Sequence, residues 1–274
     1  MKIINHLLYH DDDTPYPYRS SPNRSGTFEP KFLIMHYTAG SSAKASIDWL
    51  INPRAKASAH IVIGRDGSVT QLIPFNVVAW HAGASTWQGY NGLNKYSIGI
   101  ELDNAGTLVR AGSQWRSWFG STYSDEEVVE AIHKNETVAR GWHLYTAEQL
   151  YVASDLANLL FEQYRLQDVL GHDDIAPRVK TDPGPAFPMD TFRARIFGRQ
   201  ENEQDTRSYV TTTMVNIRRG PSAEYALLPQ APLSAGTRLE ATGNESGTWK
   251  EVNVVDAGSN VQGWVHGRYI KLVS

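Results

Sequence analysis

Residues 171–184 read GHDDIAPRVKTDPG, and this run constrains the fold more than any other part of the chain. It combines an imidazole, a carboxylate and a lysine in a segment whose prolines and glycines favour a loop. Such a set can bind a metal ion once another segment supplies a further ligand. Two apolar segments typical of buried strands each carry one candidate side chain: His36 within FLIMHYT at 32–38, and Glu101 within SIGIEL at 97–102. We therefore expect three distant segments to converge on one site.

The composition narrows the classes of function. The chain has 274 residues, 41% of them hydrophobic, which suffices for one sizeable core and a smaller second domain. A formal net charge of -3, with scattered Lys and Arg, does not provide the basic surface that a nucleic acid partner requires. The chain has no cysteine, so disulfides and thiolate ligands are excluded. Any metal must be bound by histidine and carboxylate groups.

The sequence gives no sign of membrane insertion. No apolar run approaches the roughly 18 residues of a membrane span, so we expect no transmembrane segment. The first ten residues, MKIINHLLYH, are too polar and too short for a signal peptide. Either the chain stays inside the cell, or a leader has been removed, or another export route is used.

The pattern along the chain changes near residue 199. Earlier residues alternate strand-like and helix-like patterns, which predicts an α/β domain. Residues 199–207 (RQENEQDTR) are polar and lack apolar periodicity, as expected of a linker. After them, short β segments separated by glycine turns suggest a small barrel. We therefore predict a catalytic domain at 1–198, a linker at 199–208 and a second domain at 209–274.

Local signals locate several elements of the first domain. Asp66-Gly67 is a strong hairpin turn, because glycine adopts positive φ without a Cβ clash. The sequence TAEQ at 146–149 fits a capping box that begins a long helix, which ends near Tyr164 and covers one face of the sheet. Residues 103–145 are interpreted as an insertion near the site, with a candidate helix that begins at Ser124.

The candidate metal ligands are ambiguous one by one. A histidine at the end of a strand, such as His36, is most often structural, and a loop histidine such as His172 usually makes an ordinary hydrogen bond. Together, two histidines and an aspartate are a recognised ligand set for a four-coordinate catalytic zinc with one position left for water. Such a zinc lowers the pKa of that water to about 7, which provides a nucleophile at neutral pH.

Five motifs follow one another along the chain: HYTA at 36–39, SAH at 58–60, WHAG at 80–83, SIGIE at 97–101, and GHDDIAP with KTDPG at 171–184. With these motifs in this order, residues 30–198 resemble the zinc-dependent N-acetylmuramoyl-L-alanine amidases, a group related to phage lysozyme-type amidases and peptidoglycan-recognition proteins. The resemblance implies an α/β fold with a mixed central β-sheet flanked by helices.

The resemblance assigns roles residue by residue. It implies that His36, His172 and Asp182 bind Zn²⁺, with Asp182 standing where some relatives have cysteine. It also implies that Glu101 is the acid/base carboxylate and that Lys180 stabilises the oxyanion of the tetrahedral intermediate. The structural alternatives are a glutamate facing solvent and a solvated loop lysine.

Four further residues are candidates for substrate binding. Several relatives carry a tyrosine next to the residue that matches His60, whereas this chain has Ala59, so a tyrosine-assisted mechanism is in doubt. His60 either contacts substrate or supports the site. Trp80 and His81 resemble a substrate-groove motif, although Trp80 could equally belong to the core. Asn94 is a candidate for binding the peptide stem.

The tail resembles bacterial SH3 domains. The sequence VNIRRGPS at 215–222 opens the resemblance, and GWV at 263–265 lies near its end. In such enzymes this small all-β SH3-like barrel commonly contacts the cell wall and raises the effective concentration of the catalyst near an insoluble substrate. The alternative is a packing domain with no ligand.

Together these features predict a peptidoglycan hydrolase that cleaves the amide between N-acetylmuramic acid and L-alanine of the stem peptide by zinc-activated water. We expect it to act on the cell wall, in the periplasm or after secretion, rather than in the cytoplasm. One alternative is a peptidoglycan-binding protein without turnover, which would have no need of Glu101 and Lys180. Another is a cytoplasmic amidase that recycles soluble anhydro-muropeptides.

Overall fold

The computed structural model describes residues 1–197, 208–246, 248–255 and 261–273. Residues 199–207 of the predicted linker lie outside the described residues. The chain divides into two compact units, Met1–Phe197 and Gly198–Ser274. Within the described ranges, no helix combines the length and the apolar character needed to cross a bilayer.

The first unit contains the central sheet and its flanking helices. Its helices are α1 (Ala43–Leu50), α2 (Ala147–Tyr164), α3 (His172–Ile175) and α4 (Met189–Ile196). Its strands are β1 (Lys2–Ile4), β2 (Leu7–Tyr9), β3 (Arg24–Thr27), β4 (Phe32–Tyr37), β5 (Ile61–Ile63), β6 (Val69–Gln71), β7 (Val77–Ala79), β8 (Thr86–Trp87), β9 (Tyr90–Asn91), β10 (Ser97–Leu102), β11 (Thr107–Ala111), β12 (Gln114–Arg116), β13 (Thr122–Tyr123), β14 (Val128–Ile132), β15 (Ala139–His143) and β16 (Asp168–Gly171).

The central sheet is five-stranded, in the order β16-β4-β10-β5-β6. The first four strands are parallel, and β6 runs antiparallel to β5. This confirms the predicted α/β class with a mixed central sheet. Because parallel strands end at the same edge, β4, β10 and β16 deliver the residues at their carboxyl ends to one place.

Alternation along the strands separates two faces. Leu33 and Ile100 point to the face that α2 covers, in the main hydrophobic cluster. Ile34 belongs to a different cluster on the opposite face. His36 follows Ile34 with the period of a strand, and Glu101 lies opposite His36 in the parallel register. Both polar residues therefore extend from the face that α2 does not cover.

Two local predictions about the sheet and its helix are confirmed. Strands β5 and β6 form the hairpin around Asp66-Gly67, where Gly67 has φ +79. Thr146 caps α2 by accepting a hydrogen bond from the backbone N–H of Gln149, and the helix ends at Tyr164. The helix buries Ala153, Leu156, Ala157 and Leu160 against the sheet, and each large apolar side chain contributes about 1.5–3 kcal/mol.

The predicted helix at Ser124 is wrong. The capping box of Ser124 with Glu127 closes only a single 3-10 turn, Asp125–Glu127, and β14 follows it directly. The sequence of β14, VVEAI, has the two-residue period of a strand, which outweighs the helix-start signal. The insertion is instead a five-stranded antiparallel sheet in the order β13-β12-β11-β15-β14.

The second unit is built from antiparallel strands, in the order β20-β19-β18-β17-β21. Its core contains Ile217, Leu239, Val252 and Val265. In the VNIRRGPS motif, which the sequence suggests begins with a short β segment at 215–218, Val215 and Arg218 make isolated bridges and no continuous strand forms. An SH3-like barrel remains a prediction. The strands are β17 (Ser208–Thr211), β18 (Arg238–Ser246), β19 (Trp249–Val254), β20 (Val261–His266) and β21 (Ile270–Leu272).

Candidate active site

The fold brings His36, His172 and Asp182 together in a buried cluster. His36 lies near the end of β4, His172 directly follows β16, and Asp182 lies in the loop beyond α3. The Nδ1 atom of His36 is 3.0 Å from Nδ1 of His172 and 2.8 Å from Oδ2 of Asp182. The same carboxylate oxygen is 2.9 Å from Nδ1 of His172. These three residues form a group that could hold a metal ion.

The hydrogen bonds around His36 determine which of its nitrogens carries the proton. The Nε2 atom of His81 lies 3.1 Å from the carbonyl oxygen of Ser97, so it must donate. A neutral His81 then accepts at Nδ1, which is 3.0 Å from Nε2 of His36. The Nε2 atom of His36 therefore donates, and its Nδ1 keeps a free lone pair. Burial is the main cause that lowers the pKa of His36 to about 4, and the nearby His172 contributes less. The ring is therefore neutral at pH 7.

The same reasoning applies to His172 and Asp182. The Nε2 atom of His172 is 3.3 Å from the carbonyl oxygen of Ala82 and donates to it, so its Nδ1 is also unprotonated. The Oδ2 atom of Asp182 lies 2.8 Å from Nδ1 of His36 and 2.9 Å from Nδ1 of His172. Two bare nitrogens and one carboxylate oxygen thus face one another. Three such lone pairs repel unless a cation lies among them, which is the arrangement that a divalent metal fits.

The structure buries His60 and His81 and bonds the ring nitrogens of both to other protein groups. His60 is fully buried, accepts from the backbone N–H of Gly99 and donates to the carbonyl of Val77, each at 3.0 Å. Burial lowers its pKa to about 3. His81 is also buried, and both of its ring nitrogens are occupied by His36 and Ser97. Because both nitrogens of each ring already have protein partners, the geometry favours support of the site over substrate contact, which remains a prediction for both residues.

Asn94 and Trp80 lie on the polypeptide around His81. The side-chain oxygen of Asn94 accepts from the backbone N–H groups of His81 at 2.9 Å and Ala82 at 2.6 Å. It therefore holds the turn that carries the hydrogen-bond partners of His36 and His172. Trp80 is partly exposed, and its Nε1 lies 3.4 Å from the hydroxyl of Ser25. Contact of Asn94 or Trp80 with substrate remains a prediction.

Glu101 presents a carboxylate beside the cluster. Its Oε2 atom is buried and has no hydrogen-bond partner within the described part of the chain. Burial, together with the negative charge of Asp182, raises the pKa of Glu101 to about 8, and the positive charge of Lys180 opposes this rise. Lys180 is exposed, and its charge also lowers the pKa of His36. The predicted acid/base residue and the predicted cation therefore lie within electrostatic reach of each other.

A cleft of about 540 Å³ opens beside Glu101. Trp118, from the loop between β12 and β13, forms part of its wall and donates from Nε1 to the carbonyl of Ala39 at 2.7 Å. Trp118 is not among the predicted site residues, although the sequence predicts that its insertion lies near the site. The lining residues are Thr38, Ala39, Gly40, Ser41, Ala45, Ser46, Trp49, Leu50, Glu101, Trp118 and Phe119.

Residues 26–185 match the family model described as N-acetylmuramoyl-L-alanine amidase. The 1,6-anhydro-N-acetylmuramyl-L-alanine amidase AmpD of Escherichia coli (strain K12) is 35% identical over 184 residues, which cover 61% of this chain and 82% of that protein. The N-acetylmuramoyl-L-alanine amidase AmiD of the same organism is 29% identical over 189 residues, covering 66% of this chain and 58% of that protein. A crystal structure of a selenomethionine AmpD derivative aligns with a TM-score of 0.49 and 27% identity, covering 72% of this chain and 99% of that chain.

The family model spans more than half of the chain and contains all three residues of the buried cluster together with Glu101 and Lys180. The chain belongs to the N-acetylmuramoyl-L-alanine amidase family and is an amidohydrolase of that class.

Proposed function

We propose that the chain hydrolyses the amide between N-acetylmuramic acid and L-alanine with a zinc ion held by His36, His172 and Asp182. The observation that carries this proposal is the convergence of two unprotonated imidazole nitrogens and one carboxylate oxygen within 3.0 Å. Two histidines and one carboxylate leave a fourth position open in a tetrahedral zinc site. When bound, zinc supplies Lewis acidity toward the scissile carbonyl and lowers the pKa of a water molecule to about 7.

Glu101 is proposed as the acid/base residue. Its unpartnered buried Oε2 can accept a proton from the attacking water, and the same carboxyl group can then donate that proton to the departing amide nitrogen. A pKa raised to about 8 makes both transfers feasible near neutral pH, because the group can lie on either side of its titration. The structural alternative, a glutamate pointing into solvent, does not agree with the burial of Oε2.

Lys180 is proposed to stabilise the oxyanion. Its ammonium is exposed, and its charge reaches both Glu101 and His36, so it can face the carbonyl oxygen of a substrate between them. A cation placed where negative charge develops contributes more in the transition state than in the ground state.

The cleft beside Glu101 is proposed to receive the substrate. Trp49, Trp118 and Phe119 supply apolar surfaces, and Thr38 and Ser41 supply hydroxyl groups, which together suit a sugar that carries a peptide. The second unit is proposed as an SH3-like module that contacts the cell wall and concentrates the enzyme on an insoluble substrate. We therefore favour action on the cell wall, in the periplasm or after secretion.

A second candidate is hydrolysis of soluble anhydro-muropeptides, which the similarity to AmpD favours. Both candidate reactions hydrolyse the same bond with the same catalytic residues. They differ in the preferred form of the substrate, and this form also bears on where the enzyme acts.

The proposal is tested by mass spectrometry of the products formed from purified sacculi and from anhydro-muropeptides. We expect release of peptides that begin with L-alanine, loss of this activity on chelation, and recovery with added zinc. Peptides cut at another bond, or full activity after the metal has been removed, would contradict the proposal.

A further inference from the structure

Residues 133–135, a short segment of the insertion, bind Asp173, the residue that follows His172. The Nδ1 atom of His133 accepts from the backbone N–H of Asn135 at 3.1 Å, so its Nε2 carries the proton and donates to Oδ2 of Asp173 at 2.9 Å. Lys134 places Nζ 2.9 Å from Oδ1 of Asp173. The amide of Asn135 donates to the carbonyl of Asp173 at 3.0 Å. Three consecutive residues of the insertion therefore hold one aspartate.

Asp173 connects two of the three candidate metal ligands. It is bonded covalently to His172, and its backbone N–H donates to the carbonyl of Asp182 at 2.8 Å. Its side chain is only 5% exposed, so this carboxylate depends on the partners that the insertion provides. Any shift of Asp173 would move Nδ1 of His172 and Oδ2 of Asp182 relative to each other.

The neighbouring Asp174 strengthens the same attachment. Lys134 also pairs with Asp174, whose Oδ2 accepts from the backbone N–H of Gly171 at 2.7 Å and pairs with Arg193 at 3.0 Å. Lys134 thus bridges two adjacent carboxylates at the start of α3. His133 is buried and stacks on Trp142, with ring centroids 5.5 Å apart. The segment is therefore also packed against the insertion sheet.

We infer that the 133–135 segment positions the metal centre, with His133 and Lys134 as positioning residues that hold Asp173 between His172 and Asp182. The inference rests on the proposed function in one respect, that the buried cluster binds zinc. Groups that orient ligands from outside the coordination sphere commonly change metal affinity by about 10–100-fold when they are removed. The 133–135 segment then contributes to the reaction without touching substrate.

The competing explanation is that the segment only attaches the insertion to the rest of the unit. Both explanations predict some loss of stability on mutation, but only the positioning role predicts weaker zinc binding by the folded protein. The half-exposed Lys134 is the safest residue to change. Arg140 provides a matched control, because its pair with Glu136, at 2.9 Å, belongs to the same hairpin but does not contact Asp173.

The experiment measures the zinc dissociation constant of the full chain by competition with a chromophoric chelator, alongside thermal unfolding of the metal-free protein. We expect Lys134→Met and His133→Leu to weaken zinc binding about 10–100-fold, while Lys134→Arg and His133→Gln, which keep a donor, stay near the wild-type value. Arg140→Met should bind zinc as the wild type does.

The outcomes separate the two proposals. If the wild-type chain fails to bind zinc, the proposed function falls, and the positioning role falls with it. If the wild-type chain binds zinc and the Lys134→Met variant binds equally well, the positioning role alone is overturned, whatever happens to the unfolding temperature. The Lys134 variants decide the question even if His133→Leu does not fold.

Discussion

At the scale of the residue, Glu101 provides the sharpest test of the chemistry. Glu101→Gln keeps the size of the side chain but removes its ability to accept and deliver a proton. We expect kcat to fall by about 10²–10⁴-fold while zinc content stays at the wild-type level. Product release from muropeptides and elemental analysis measure the two quantities. Activity within about threefold of wild type, against an expected fall of at least about 100-fold, would remove Glu101 from the mechanism.

The raised pKa of Glu101 also predicts how the metal-free protein responds to pH. A carboxyl group whose pKa is about 8 in the folded state and 4.5 in the unfolded chain holds its proton more tightly when folded. Stability from this group is therefore complete below about pH 4.5 and is lost as the pH rises toward 8. We expect the free energy of unfolding of Glu101→Gln, relative to that of wild type, to increase between these pH values, by on the order of 2–4 kcal/mol at pH 8. Denaturant unfolding of both proteins with chelator present measures this difference. A constant difference between the two proteins would contradict the shift.

The residues of the metal cluster could be predicted from sequence, because metal binding requires particular chemical groups. The roles of the neighbouring histidines were harder to predict, because they depend on which side chains are buried. The structure brings His36 and His172 together because β4 and β16 end at one edge of the sheet, and the loop beyond α3 returns Asp182 to the same place. The sequence could not show that His60 and His81 use both ring nitrogens on other protein groups, because that depends on the packing of β7 and β10. Polar residues in a motif therefore indicate a site more reliably than they indicate contact with its ligand.

At the scale of the element, Gly99 explains how β10 accommodates the histidine network. A Cβ at this position would lie 2.5 Å from the ring of His81, which has little freedom to move because it bonds to His36 and Ser97. We expect Gly99→Ala to lower the free energy of unfolding by about 1–3 kcal/mol through overpacking, and to weaken zinc binding. Gly26→Ala is the control, since a Cβ there meets nothing within 4 Å. Equal stability of the two variants in denaturant would show that the ring of His81 can yield.

The insertion loop that carries Trp118 predicts an effect on substrate binding. Trp118→Ala removes an aromatic wall of the cleft but touches no proposed catalytic residue. We expect KM for a muropeptide to rise about 5–30-fold, equivalent to 1–2 kcal/mol of lost apolar contact, with kcat little changed. Val109→Ala, an exposed position on the same insertion sheet, should leave both constants unaltered. A fall in kcat alone would contradict a binding role for Trp118.

The elements differ in how far local patterns determine them. The hairpin at Asp66-Gly67 and the cap at Thr146 were predictable because a few adjacent residues decide them. At Ser124, two local signals conflict, a helix-type capping box and a strand-type alternation. The alternation prevails because β14 pairs with the next strand, β15, along its whole length, and this pairing lies beyond the four residues of the capping box.

At the scale of the whole molecule, the two units have separate hydrophobic cores. One cluster joins the central sheet to α2, and another joins the strands of the second unit around Ile217 and Val265. A unit with its own core can fold alone, so a chain that stops after Phe197 should remain folded. The α/β class could be predicted from alternating patterns, whereas the ligand of the second unit could not, because short antiparallel strands serve many functions.

The separation of cores leads to a prediction about the substrate. If the second unit anchors the enzyme, a chain ending at Phe197 should hydrolyse a soluble anhydro-muropeptide within about twofold of the full chain, since the proposed catalytic residues all precede that point. Its activity on purified sacculi, and its sedimentation with them, should fall at least about tenfold, because the intramolecular gain in effective concentration is lost. Residues 208–274 alone should sediment with sacculi. Equal binding of sacculi by the full and shortened chains would assign the second unit a packing role and favour the soluble muropeptide as substrate.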